Sequence, residues 1–240
     1  MQLLAPGKSN AKLEKSNELA IEMAIRGLKK YVTFGLSLYP DPILCPKQEQ
    51  AGCTEGCLRS AGHGNFPNVI KARKAKAELF HKDRKTFMMI LRGELAKIQI
   101  KCQKKGEIPV VRLNVISDVN WFKVVEEFPD IQFYDYTKVG NRSNKVLPSN
   151  YHLTYSYSEH SEEYLKSLEH VWDTDNNIAV VFRTKIFPKT FKGRKVIDGD
   201  KHDMRFLDEK RVVVGLSAKG SAKKDTSGFV IDTISKLINL

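Results

Sequence analysis

Apolar and polar positions along the 240-residue chain follow two rhythms. Seven short stretches are nearly continuously apolar, as strands buried on both faces must be. They are "YVTFGLSLYP" (31–40), "PVVRLNVISD" (109–118), "IQFYDYTK" (131–138), "YHLTYSYSE" (151–159), "NIAVVFR" (177–183), "KVIDGD" (195–200) and "RVVVGLSAKG" (211–220). Around and between them, apolar residues recur at helical spacing. These segments are Leu13–Lys30, Val69–Lys105, "VNWFKVVEEFP" (119–129), "EEYLKSLEHVW" (162–172) and the tail "VIDTISKLINL" (230–240). The longest breaks near Asp83, which reads as the N-cap of a second helix with Phe87, Ile90, Leu91, Leu95 and Ile98 on its apolar face. Asn68, after Pro67, reads as the N-cap of the first, and Gly106 ends the second.

Strands separated by helices predict a parallel β/α domain. Doubly wound sheets carry a glycine-rich turn after the first strand, and this chain has none there. The expectation is therefore one TIM-barrel-like (β/α) domain over residues 1–240. Residues 1–30 form an N-terminal helical extension and residues 40–66 a cysteine loop. Arg183–Lys195 lacks helical periodicity, so the barrel is expected to be degenerate or partly open in its second half.

A barrel collects its reactive groups where the strands end. That rule selects Asp118, Asp135, Lys138, Glu159, Asp200 and Lys219 as candidate catalytic groups, with Asn114 as a candidate cofactor contact. Polar residues are expected just after apolar strands in any case, because helix caps need Ser and Asp, so Asp118 and Glu159 read equally as simple caps. "APGKSNAK" lacks the upstream glycine of a phosphate-binding loop, and "DGDKHD" lacks the spaced glutamate of a calcium loop.

Three of the four cysteines crowd into "CPKQEQAGCTEGCL", directly after the first strand. The spacing is C-x7-C-x3-C, and three thiols cannot pair among themselves. The start of the chain has no apolar signal core, so a reducing compartment is expected, where clustered thiols read first as metal ligands. Cys45, Cys53 and Cys57 suit an iron–sulfur cluster of the [4Fe-4S] type with one iron left for another ligand, such as His63 or a small molecule. Zinc is the alternative, though a structural site asks for four ligands. Cys102 lies at the far end of a helix and is expected to be no ligand.

Charge adds a second theme. Lys and Arg outnumber Asp and Glu by 40 to 28, a net charge of +12. Basic runs such as "KARKAK", "HKDRK" and "KCQKK" read either as solvated helix faces or as a nucleic-acid contact. No apolar run reaches the roughly 18 residues that a membrane span requires.

Taken together, "CPKQEQAGCTEGCLRSAGHG", "VRLNVISDVNW", "FYDYTK", "NYHLTYSYSE", "VIDGDKHDMRFLD" and "VVGLSAKGSAKKDTSGFV" resemble the phage protein family called gene product eighty-eight. The likeness runs from about Gly7 to Val230. It implies a virus-encoded protein of the host cytoplasm, and its cysteine arrangement suggests an iron–sulfur site on a barrel. Radical-SAM enzymes also place three cysteines after a first barrel strand, but at C-x3-C-x2-C spacing and with a glycine-rich segment not found here. The expected activity is thus hydrolase-like or lyase-like chemistry on a small molecule at an open iron. Radical-SAM-like chemistry is one alternative. The other is a non-catalytic, cluster- or zinc-bearing protein that binds nucleic acid.

Overall fold

Nine strands form one sheet in the computed structural model, which describes residues 1–9, 11–54, 56–57 and 62–232. They are β1 (Leu4–Pro6), β2 (Tyr31–Leu36), β3 (Ile108–Arg112), β4 (Gln132–Thr137), β5 (Tyr151–Ser156), β6 (Asn177–Phe182), β7 (Thr190–Phe191), β8 (Arg194–Asp198) and β9 (Val213–Ser217). Across the sheet the order is β1-β2-β3-β4-β5-β6-β9-β8-β7. The seven strands read from the sequence all form, and all run parallel. From β2 to β6 they add in chain order, without the reversal that defines a doubly wound sheet.

The sheet is mixed and does not close. Short antiparallel strands end it on both sides, β1 against β2 and β7 against β8. The β7–β8 hairpin turns on Lys192 (φ 46°) and Gly193 (φ 76°), the two successive left-handed residues of a type I′ turn. The outer edge of β1 meets side chains instead of another strand. Leu3 and Leu4 donate their amides to the Glu94 carboxylate at 2.8 and 2.7 Å, and the Lys76 ammonium donates to the Leu3 carbonyl at 2.7 Å.

Among the described residues five α-helices accompany the strands: α1 (Ala11–Ile25), α2 (Pro67–Lys82), α3 (Arg84–Gln103), α4 (Phe122–Glu126) and α5 (Glu162–Leu168). Asp83 caps α3 as expected, accepting from the Thr86 amide at 2.9 Å. The cap of α2 is Phe66 rather than Asn68, because Pro67 takes the first helical position. Helix α4 is shorter than its apolar pattern, because Asn114 ties Val119 and Trp121 into a turn before it. The expected tail helix falls largely on 233–240, outside the described residues. Among the described residues no helix is long and apolar enough to cross a membrane.

Alternation along the strands separates two faces. On the outer face Val111, Phe133, Leu153 and Val180 pack with Phe80 of α2, Phe87 and Leu91 of α3, Val125 of α4 and Leu168 of α5. Burying each such side chain contributes roughly 1.5–3 kcal/mol, so this layer is the principal core. On the inner face Val110 and Tyr134 pack with Leu13 of α1 and with Phe206. The turn after β8 covers this face through a buried ion pair, Arg112 to Asp203 at 2.6 Å.

Candidate functional site

Beyond that covered zone, the inner face opens into a cavity of about 170 Å³ near the carboxyl ends of the parallel strands. Asp118 beyond β3, Lys138 beyond β4, Tyr157 beyond β5, Val181 in β6 and Lys219 beyond β9 all line it. Cys45, Cys53 and Cys57 line it from the loop that follows β2. The strand-end rule therefore brings the cysteine loop and four of the other sequence candidates to one space: Asn114, Asp118, Lys138 and Lys219.

Hydrogen bonds from neighbouring turns hold the loop in place. Asp41 accepts from the Ile43 and Leu44 amides, both at 2.9 Å, and Leu44 accepts from the Asp118 amide at 2.7 Å. The buried Ser158 hydroxyl donates to the Ala51 carbonyl at 2.7 Å, and the Ser161 hydroxyl to Gln50 at 2.8 Å. Gly52 has φ +64°, and a Cβ there would stand 2.5 Å from the His160 ring, so the turn between Cys45 and Cys53 requires glycine.

All three thiols are partly exposed. Burial pushes Cys45 up to about 12 and raises Cys53 as well, while Lys138 pulls both the other way. A nucleophilic cysteine wants the opposite shift, so these two thiols are ill suited to attack, and a metal bound there would have to displace their protons. Lys138 shows the reciprocal effect. Burial would lower it, but Cys53, Asp118, Cys45 and Cys57 outweigh that and raise it. Its ammonium lies 5.9 Å from the Phe229 ring, and among the described residues it has no hydrogen-bond partner.

The remaining candidates divide into cavity groups and groups behind them. The Asp118 carboxylate accepts from Arg142 Nη1 at 2.5 Å and from the Lys138 amide at 2.7 Å, so it is committed to a buried ion pair. Asn114 accepts from Ser117, the Val119 amide and Trp121 Nε1, and donates to the Val119 carbonyl and to Asp135. Its amide is thus fully engaged within the β3 turn. Asp135 does not reach the cavity but stands behind Asn114, accepting from its backbone at 2.6 Å and from the Tyr151 hydroxyl at 2.9 Å. Burial raises Asp135 to about 7, against those hydrogen bonds. Glu159 accepts from the hydroxyl of Tyr157, a lining residue, at 2.9 Å. Asp200 accepts from Lys219 Nζ at 2.6 Å and from the Ser217 hydroxyl at 2.5 Å. Burial would raise it, but these partners hold it below the usual carboxylate range. Each of these three carboxylates fixes a group that lines the cavity.

The side chain of His63 lies outside the described residues. Cys102 is in the last turn of α3, buried in the outer core. Its charged neighbours are Glu107, Lys101, Lys105 and Lys30, a set that shares no member with those of Cys45 and Cys53. Tyr136, at the end of β4, also lines the cavity, as does Arg112, which was not singled out from the sequence. Arg112 had a signal: it is a lone charge within the apolar run "VVRLNV". Among the described residues no three His, Cys, Asp or Glu side chains converge as donors to one metal ion.

Comparison with curated proteins finds no match. Comparison with solved structures finds none either. A family model described as Gene product 88 matches residues 3–233, almost the whole length over which the motifs were read. The chain belongs to the Gene product 88 family, the phage family its motifs resemble.

Proposed function

We propose that this phage protein binds an iron–sulfur cluster through Cys45, Cys53 and Cys57 and transforms a small molecule at the coordination position they leave open. The observation that carries the reading is that three thiols of one loop line one cavity at the carboxyl ends of parallel strands, with a charged lysine beside them. A single zinc ion wants its donors to meet at a point. A cluster takes one thiolate per iron, so its thiols stand around its corners, farther apart than the ligands of a single ion. On this reading the open sheet is a (β/α) barrel left incomplete in its second half, and the reducing host cytoplasm keeps the thiols free.

Bound there, a cluster of the [4Fe-4S] type would supply a Lewis-acidic iron for a water or carbonyl oxygen. The chain's own residues do the rest. Lys138 balances the negative charge of the thiolates and remains able to donate to an oxygen in the cavity. Asp200 holds Lys219 at the rim, and Asp118 fixes the backbone of Lys138. Val181, Leu216 and Phe229 supply apolar wall, which strengthens each polar contact inside. Hydrolysis or elimination fits such neighbours.

Iron and acid-labile sulfide analysis after anaerobic purification tests the reading. Both elements are expected, and Cys53→Ala should lose both. Stoichiometric zinc without sulfide overturns it. For the open position, small anions should perturb the cluster's paramagnetic spectrum; a spectrum indifferent to all of them leaves a structural or electron-transfer role.

A further inference from the structure

We infer that the α2–α3 pair is a docking face for duplex nucleic acid, gripped through its phosphates. Residues 67–105 hold twelve Lys and Arg against three Asp and Glu, so +9 of the chain's +12 resides in this one segment. Lys71 and Lys74 of α2 are exposed, as are Lys97 and Lys101 of α3 and Lys104 and Lys105 at its end. Lys97, Lys101 and Lys104 recur at intervals of four and three residues, which sets them on one side of the helix. The other side, with Leu91, Leu95, Ile98 and Cys102, is core.

Among the described residues none of the three acids of the segment forms an ion pair with those exposed lysines, while Lys82 is neutralised by Glu78 and Arg92 by Glu127. Asp83 caps α3, Glu78 pairs with Lys82, and Glu94 holds the amides of Leu3 and Leu4. A helix of this length extends about 30 Å, close to one turn of a duplex. The exposed lysines from Lys97 to Lys105 cover about 12 Å of that length, and lysines without acidic partners there suit a row of phosphates, which are read without regard to base sequence. Stacking on a single strand would ask for exposed aromatic rings. The aromatic rings within α2 and α3, Phe80 and Phe87, are both buried, and the exposed Phe66 at the cap of α2 is a single ring, not a row of them. An anionic membrane would ask for a broad apolar strip beside the lysines; the exposed large apolar side chains of α3 are Met89 and Ile100.

The lysine-rich end of α3 leads directly into the start of β3, whereas the cavity lies toward the strands' carboxyl ends. Docking on the lysine-rich end of α3 and cavity chemistry are therefore separable. The test is fluorescence anisotropy with a labelled duplex of about 20 base pairs, between about 50 and about 200 mM salt. The triple variant Lys97→Glu, Lys101→Glu, Lys104→Glu should bind at least ~10-fold more weakly and lose about 3 from the slope of log affinity against log salt, about one per phosphate contact. A charge-matched triple on exposed lysines elsewhere, Lys185→Glu, Lys189→Glu, Lys210→Glu, should keep the wild-type slope. Three results would overturn the inference: no duplex binding by the wild type at low salt, equal weakening by both triples, or capture by phosphatidylglycerol vesicles in preference to the duplex. Iron content, unchanged in every variant, keeps the outcome separate from the cluster reading.

Discussion

Asp135 shows what a single buried carboxyl costs and does. It is fully buried, with hydrogen bonds from Asn114 and Tyr151, and among the described residues no cation pairs with it within 4 Å, although Arg112 pulls its proton affinity down. Burial lifts it from an ordinary value of 3.8 to about 7. The folded chain therefore keeps this proton over a range where the unfolded chain has lost it. Its contribution to stability is fullest below about 4, declines as pH rises to about 7, and is level above. The slope in that window reaches at most about 1.4 kcal/mol per pH unit. Urea unfolding at pH 5 and pH 8 should show wild type losing stability that Asp135→Asn does not lose; equal losses would refute the assignment. The sequence showed Asp135, Glu159 and Asp200 as polar groups following apolar runs. It could not show that each supports a lining residue, because that depends on pleat direction and on which neighbour accepts or donates.

At the scale of elements, the cysteine loop behaves as a part clamped by its neighbours. Ser158, wholly buried, spans from the end of β5 to the Ala51 carbonyl. Ser158→Ala leaves that carbonyl short of a donor in the interior, at a cost of about 1–3 kcal/mol. Chemical denaturation should register that loss, and iron retained through desalting should fall below wild type. Unchanged stability would show that water replaces the hydroxyl. The seven long strands were legible because strands buried on both faces are apolar throughout. β1 and β7 were not, since three residues and two residues cannot display a period. Helix α4 began late for another reason: the Asn114 side chain competes for the backbone and side chains of residues 119–121.

For the molecule as a whole, chain-order winding was legible in the alternation of strands and helices, but closure was not, because it is decided at the edges. The same winding separates the two ends of the sheet, with Cys102 near the amino end of β3 and the loop thiols toward the carboxyl ends. Cys102→Ser should therefore keep the iron and sulfide content of the wild type while costing some core stability; a folded variant that has lost its iron would place Cys102 among the ligands. The edge itself has a further consequence. Sheets left open are prone to recruit a strand from another molecule at their edges, the route to swapped dimers and fibres. Here Glu94 and Lys76 occupy the hydrogen-bonding groups of Leu3 and Leu4 that an incoming strand would need. A second chain could add to β1 only by first displacing a carboxylate and an ammonium from partly buried positions, so two side chains from α2 and α3 guard this edge against fibre growth.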